Sequence, residues 1–521
     1  MLFNSYVFIF VFLPIILLIF FCLGAYSHRL AVASLLLASL FFYGWWNLVY
    51  VALLAASITF NYFIGVALIK ENHRSGIFGK KSILAFGVAA NLGLLAYYKY
   101  ANFFLTNINT ILGAHLGVAD IILPLGISFF TFTQIAFLVD SYRGEVREYN
   151  FIHYCLFVTY FPHLIAGPVL HHKEIMPQFA EPSTFRPTYE NMAIGLTIFS
   201  IGLFKKVVVA DGIAPFVSPV FDAVAQGNTI SSGDAWFGVL AYSFQLYFDF
   251  SGYSDMAIGI SRMFGVNLPI NFYSPYKAVN IIEFWRRWHI TLSRFLRDYL
   301  YIPLGGNRRG SIRRYHNLFL TMLLGGLWHG AGWTYVIWGG LHGLYLVINH
   351  AWHGLRRHWG QDLTSNTLIS RWIARLLTSV AIVVAWVFFR ASGYTAAMSI
   401  LGSMFGFNGF DASVFYATKT LQQMVLVPVL VDMGLYINPF HILIGLFVCL
   451  YIVVWFLPNT TQLTSDNITD VLPDRHEGLV MRASIPVTRV FVLAVMTGTF
   501  IFVSVLGLMS ETPSEFLYFQ F

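Results

Sequence analysis

Uncharged runs of membrane-spanning length dominate the chain. Residues 6–26, YVFIFVFLPIILLIFFCLGAY, hold no charged side chain, and about 20 apolar residues suffice for one helical crossing of the hydrocarbon core. Neither a basic leader nor a small-residue cleavage site precedes Tyr26, so this run predicts a retained first span rather than a secretory signal. The next run, Leu30 to Ile69, is long enough for two spans. Its turn is expected at Gly44-Trp45-Trp46-Asn47, where indoles suit the membrane interface. In KENHRSGIFGKK, residues 70–81, Lys70, Arg74, Lys80 and Lys81 outweigh the single Glu71. The positive-inside rule makes that loop cytoplasmic, and three spans before it put the N-terminus on the periplasmic side.

Further apolar segments fall near 82–98, 121–139, 151–170, 192–210, 234–262, 316–349, 373–390, 424–457 and 488–509. Several accommodate two crossings, whereas 151–170, with Pro162 and Pro168, is expected to be broken or re-entrant. At one crossing per 20 apolar residues the pattern predicts roughly 11–13 hydrophobic segments. The longest polar stretch, 458–486, reads as a loop, and no soluble domain fits between the segments. The fold expected is a single all-α, polytopic membrane domain over 1–521, without the internal repeats of inverted-repeat transporters.

One segment departs from this pattern. IIEFWRRWHITLSRFLRDYLYIPLGGNRRG, residues 281–310, is too charged to cross lipid. On a helical wheel Glu283, Arg286, Arg287, Arg294, Arg297 and Asp298 share an arc of about 120°, opposite Phe284, Trp285, Trp288, Leu292, Phe295, Leu296 and Tyr299. That predicts an amphipathic helix lying along the membrane or on the embedded core, with His289 pointing inward from its apolar side.

Composition agrees with the pattern: 57% of residues are hydrophobic and only 11% charged, against about 25% charged in soluble proteins. The net charge of +7 is explained by cytoplasmic loops facing anionic lipid, and no nucleic-acid-binding module is present. Cys22, Cys155 and Cys449 lie in apolar runs without CxxC spacing and read as small hydrophobes.

Ionisable groups inside apolar segments cost energy and face a protein interior, a wet cavity or a partner. In LFLTMLLGGLWHGAGWTYVIWGGLHG, residues 318–343, His329 is such a group, with Gly325, Gly326, Gly330 and Gly332 leaving room for a backbone or a thin ligand beside it. Imidazole exchanges protons near neutral pH, so His329 is a candidate base. His342 has a similar setting. Asp249 and Asp255, in AYSFQLYFDFSGYSDMAIG, can orient a histidine, pair with a cation or carry protons, and structural pairing is the simpler role. HLIAGPVLHH, with His163, His171 and His172, lacks zinc-protease spacing, and no metal is expected. Arg308 and Arg309 in LGGNRRG offer guanidiniums suited to phosphate, and they also fit a short cytoplasmic loop. To this point a transporter or flippase of acyl groups or lipid-linked sugars, a transferase and a scaffold all remain open.

FWRRWHITLSRFLRDYLYIPLGG together with LLGGLWHGAGWTYVIWGGLHG resembles the membrane-bound O-acyltransferase family, and within it the bacterial branch that acetylates polysaccharides such as alginate. KYANF (99–103), LPLGISFFTF (123–132), FPHLIAGPV (161–169), QLYFDFSGYSDMAIG (245–259) and FLYFQF (516–521) extend the likeness over almost the whole chain.

The resemblance implies a bowl-like helical body with a central tunnel, a catalytic core at about 120–350, and two motif histidines that fall here on His329, the catalytic one, and His289, its support. It implies no catalytic role for His342. Trp285, Trp288, Arg308 and Arg309 are then expected along the donor, and Trp328, Asp249 and Asp255 along the tunnel. The donor is a cytoplasmic thioester, acetyl-CoA or an acetylated carrier protein, with no permanently bound cofactor. Expected partners are membrane lipid, a polysaccharide acceptor and a periplasmic SGNH-type acetyltransferase, with the chain in the bacterial inner membrane.

Overall fold

A computed structural model describes residues 1–70, 79–117, 121–146, 150–362, 367–423, 439–464, 487–510 and 516–517. Most of the basic 70–81 loop, most of the 458–486 loop and most of FLYFQF lie outside the described residues. Helices and turns build the described residues, with no β-strand among them. Among the described residues, six helices are long and apolar enough to cross a bilayer: Val7–Tyr26, Val49–Lys70, Lys80–Leu112, Tyr189–Ala225, Leu368–Arg390 and Val492–Met509. His28–Gly44 and Phe440–Phe456 are shorter apolar helices. This is a multi-pass membrane protein. Several other apolar segments fold as helices buried in protein. The helix Ile127–Arg143 is buried along nearly its whole length, as is Ser232–Met263. Apolar length alone does not separate a lipid-facing helix from a core helix, because both interiors are apolar.

The chain forms two compact units. The first comprises Met1–Phe204, Ser251–Asn271 and Thr460–Gln520. Here the helices α1 (Leu13–Tyr26), α2 (His28–Gly44), α3 (Val49–Lys70), α4 (Lys80–Leu95) and α5 (Ile127–Arg143) follow the uncharged runs, and α2 ends at the predicted Gly44 turn. The 151–170 segment is interrupted as its prolines require: Phe151–Thr159 stops before a four-residue helix, Phe161–Leu164. Polar side chains tie α3, α4 and α5 together. The Asn61 amide donates to Asn91 at 3.2 Å and to Gln134 at 2.8 Å, all three buried, the kind of interhelical bond that substitutes for a hydrophobic drive between helices in lipid. Within HLIAGPVLHH, His163 Nε2 bonds the Phe157 carbonyl at 2.8 Å and His172 Nδ1 lies 3.2 Å from Asp140.

The second unit comprises Lys205–Phe250 and Phe272–Asn459. Its elements include α6 (Asp211–Ala225), the first part of α7 (Ser232–Met263), α8 (Ile281–Arg287), α9 (Ile290–Leu296), α10 (Gly310–His329), α11 (Trp333–His358) and α12 (Leu368–Arg390). A wider π-type turn, Lys205–Ala210, precedes α6. The two motif histidines and the aromatic wall around them belong to this unit.

Candidate active site

Glycines set the site's main axis. A Cβ on Gly326 of α10 would sit 2.3 Å from the Tyr335 carbonyl, and one on Gly339 of α11 would sit 2.4 Å from the Met322 carbonyl. Without those atoms the antiparallel α10 and α11 pack backbone to backbone. Gly330 to Gly332 join them, and α10 ends where Gly330 turns extended (φ −158°, ψ 151°). His329 is therefore the last residue of α10, buried, and faces α11 and α12. Its ring lies 4.9 Å from Trp338 and 5.3 Å from Phe389, edge to face with both.

His289 is placed by a break. The single amphipathic helix predicted over 281–310 is instead two short helices, α8 and α9, separated by Trp288 in extended conformation and His289 in the left-handed region (φ 45°, ψ 53°). Only two non-glycine residues among those described have positive φ, and His289 is one of them. A histidine there is strained, and the surroundings must hold it. The physical reason for the break is aromatic packing. Trp288 docks against Phe272 at 5.0 Å and Trp386 at 5.0 Å, while His289 meets the Phe250 ring edge-on at 4.8 Å. The N-terminus of α8 is anchored by Asn280, whose side chain accepts from the Glu283 N–H at 2.9 Å, while the Glu283 carboxylate accepts from the Val279 N–H at 2.9 Å. The polar side is retained: Arg287 pairs with Glu283 at 2.6 Å and Arg297 with Asp298 at 2.7 Å. His289 lies outside the spanning helices, and burial pushes its pKa down to about 3, so the ring is neutral and offers one N–H donor.

Trp328 packs near both histidines, 6.5 Å from His289 and 4.9 Å from His329. Trp285 donates its indole N–H to His342 Nδ1 at 3.3 Å, and the His342 ring, fully buried, meets Trp338 edge to face at 4.7 Å. Of the expected residues, His289, Trp328, His329, Trp285 and Trp288 thus share one aromatic neighbourhood, and His342 joins it.

Asp249 and Asp255 take separate partners. Lys206 places its ammonium 2.7 Å from Asp249 and 2.7 Å from Asp211, all in the second unit. Asp255 belongs to the first unit, where it accepts from the Thr460 hydroxyl at 2.6 Å. Asp249 nevertheless bears on the site, because the next residue, Phe250, is the ring packed on His289. Arg308 and Arg309 are exposed in the turn before α10. The 20 residues of α10 put its two ends about 30 Å apart, so these arginines and His329 occupy opposite ends of one helix.

Sequence reasoning missed Lys206, Trp338, Trp386 and Phe389. Lys206 alone carried a signal, a lysine pair with Lys205 inside an apolar run, whereas the aromatics are indistinguishable in sequence from lipid-facing residues.

Residues 90–389 match the family model described as MBOAT, membrane-bound O-acyltransferase family, a range that contains both motif histidines. A peptidoglycan O-acetyltransferase of Helicobacter pylori is 47% identical over 437 residues, covering 78% of this chain and 80% of that protein. A probable alginate O-acetylase AlgI of Pseudomonas putida is 39% identical over 526 residues, covering 100% of both chains. A teichoic acid D-alanyltransferase of Streptococcus thermophilus is 28% identical over 246 residues, 45% of this chain and 59% of that protein. A family model spanning more than half of the residues, with two relatives well above 30% identity over most of their length, establishes that this chain belongs to the membrane-bound O-acyltransferase family and is an acyltransferase.

Proposed function

We propose that this chain takes an acetyl group from a cytoplasmic thioester, acetyl-CoA or an acetylated carrier protein, and passes it to a hydroxyl on the far side of the membrane for O-acetylation of a cell-surface polysaccharide. The observation that carries the reading is the pair of buried imidazoles flanking Trp328, one ending a helix and one held in a strained backbone conformation. Alginate, peptidoglycan and teichoic acid, in the names of the relatives, all present hydroxyls on polymers. An alginate-type acceptor is favoured because that relative aligns end to end.

In this reading His329 is the general base. It removes the proton of the acceptor hydroxyl as the oxygen attacks the thioester carbonyl. The resulting tetrahedral oxyanion collapses, the C–S bond breaks, and the imidazolium returns the proton to the departing thiolate. One ester and one thiol result. The C-terminal end of α10 favours the positive charge that the ring acquires in between. His289, neutral, donates its N–H to the oxyanion rather than acting as a base. Trp285, Trp288 and Trp328 form apolar walls that exclude water around the thioester arm along an acyl tunnel. Arg308 and Arg309, about 30 Å of helix away, attract the donor's phosphates at the entrance on the cytoplasmic side. Asp249 holds the wall by pairing with Lys206. A periplasmic SGNH-type acetyltransferase completes the transfer to polymer, with this chain in the inner membrane and its N-terminus periplasmic.

The test is consumption of radiolabelled acetyl-CoA by the purified protein in nanodiscs with a soluble hydroxyl acceptor. His329→Ala is expected to lower the rate about 10²–10⁴-fold. A folded H329A protein that cleaves the thioester at the wild-type rate overturns the reading.

A further inference from the structure

Arg371 and Arg375 stand in the opening turns of α12 among exposed apolar side chains, Leu368, Ile369, Ile373, Leu376 and Leu377. The Arg375 guanidinium lies against two indoles, 4.8 Å from the centroid of Trp372 and 5.7 Å from that of Trp455. Its Nε is buried and has no hydrogen-bond partner among the described residues. Trp455 lies near the end of the helix Pro439–Phe456, and two residues on the Leu457 carbonyl accepts from the Lys277 ammonium at 2.7 Å. The segment that carries Lys277 also holds Arg287, which lies over the Tyr273 ring at 5.6 Å and donates to the Tyr273 carbonyl at 3.2 Å. Lys277, Arg287, Arg371 and Arg375 thus gather within the second unit. The carboxylate that acts on Arg375, Glu283, is taken by Arg287 at 2.6 Å. Among the described residues no carboxylate lies within ion-pair distance of Lys277, Arg371 or Arg375.

This excess of positive charge calls for an anion. Burial, and after it the charges of Arg287 and Arg375, lower the pKa of Lys277. The first turn of α12 holds no acidic residue, and a helix N-terminus disfavours nearby cations. A guanidinium laid on an aromatic face keeps its N–H edge available for a two-point contact with a phosphate. The surroundings point to a lipid as the source. Exposed apolar side chains flank the charges on the same helix, and indoles beside them suit the headgroup level of a bilayer. Helix direction gives the leaflet. α10 and α11 are antiparallel, and α11 and α12 also run in opposite directions, Trp338 meeting Phe389 and His342 meeting Trp386. The start of α12 therefore lies on the side of Arg308, Arg309, Arg313 and Arg314 at the start of α10 and of Arg356 and Arg357 at the end of α11. The positive-inside rule makes that side cytoplasmic, where anionic lipids attract basic residues.

We propose that Arg375, laid against Trp372 and Trp455, binds together with Lys277 the phosphate of an anionic phospholipid of the cytoplasmic leaflet, whose acyl chains run along the exposed face of α12. Arg287 and Arg371 favour a headgroup of net negative charge over a zwitterionic one, because they repel the choline cation of the latter. The inference goes beyond the transferase reading and does not depend on it.

Titration of the delipidated full chain in neutral detergent micelles with phosphatidylglycerol or phosphatidylcholine, at about 0.15 M salt and with bound lipid counted by native mass spectrometry, tests this. The wild type is expected to bind phosphatidylglycerol about tenfold more tightly than phosphatidylcholine. R375Q is expected to weaken phosphatidylglycerol binding about fivefold and K277Q/R375Q about 25-fold, the worth of one and two cations at a membrane surface. R357Q and R313Q/R357Q remove one and two exposed charges from the same side and should change it by less than about twofold, because salt screens them from the site. Equal binding of the two lipids by wild type, or equal weakening by R375Q and R357Q, overturns the proposal. So does displacement of the lipid by coenzyme A, because the cations then serve the donor's phosphates. Should R375Q not fold, K277Q with undiminished preference for phosphatidylglycerol decides against it. No acyl donor is present, so failure of thioester chemistry at His329 leaves these measurements unaffected.

Discussion

Replacing Lys206 with methionine keeps the length of the apolar stem and removes the cation shared by two aspartates. The Asp249 side chain is 1% exposed and that of Asp211 15% exposed, so Asp211 can turn towards water and Asp249 cannot. An enclosed carboxylate without a partner has a ceiling on its cost, because it takes up a proton instead. For an ordinary aspartic acid at pH 7 that uptake costs about 4 kcal/mol, within the range of about 3–5 kcal/mol seen when one member of a buried pair is removed. K206M is therefore expected to lose about 3–4 kcal/mol at pH 7. The pH dependence carries a definite sign. In the variant the folded state holds a proton that the unfolded chain lacks above about pH 4, so stability falls as pH rises, by about 1.4 kcal/mol per pH unit. At pH 5 the penalty shrinks to roughly 1–2 kcal/mol, and K206M/D249N recovers most of the loss at pH 7 because a neutral amide replaces the stranded charge. The assay is equilibrium unfolding in mixed micelles at pH 5, 6 and 7, followed by tryptophan fluorescence. A K206M penalty below about 1 kcal/mol at pH 7, or one that does not change with pH, shows that Asp249 is not enclosed with Lys206 as its counterion. The same variant is expected to lower transferase activity, since Asp249 precedes the Phe250 ring that braces His289.

Other consequences are direct. Gly339→Ala forces a methyl group against the Met322 carbonyl and should destabilise the protein by about 1–3 kcal/mol or more through separation of α10 and α11; unchanged thermal unfolding contradicts the close approach. His289→Gly should be more stable than His289→Ala by about 1 kcal/mol, because glycine accepts the left-handed conformation, and equal stability of the two variants means that the conformation is not enforced. Burial holds the pKa of His289 at about 3, so its proton is not among those titrating between about pH 5 and 8. The pH–rate profile of H289Q, measured on residual activity, should keep the wild-type inflections in that range, and loss of one of them shows that His289 does ionise.

Much of this was legible before any coordinates. Residues 30–69 split at Gly44 because an interfacial Gly-Trp-Trp-Asn cannot sit comfortably in the middle of a hydrocarbon span. The 151–170 segment broke where Pro162 removes a backbone donor. His329 drew attention because an ionisable ring among leucines and tryptophans has a cost that needs a reason. The break at Trp288 and His289 was not legible. The wheel of 281–310 is equally satisfied by one long helix, and only the competing pull of Phe272, Trp386 and Phe250 decides for two.

The sequence by itself determined that the chain is helical, membrane-embedded and supplied with two imidazoles where charge is costly, because hydropathy and ionisability are properties of single residues and short runs. Only the tertiary structure decided which apolar helices face lipid and which face protein. It also decided that Trp328 packs near both histidines and that Lys206 serves Asp249 and Asp211 together. Transfer out of water is much the same into a bilayer as into a protein core, so the pattern along the chain cannot tell those destinations apart. Packing between residues remote in sequence does.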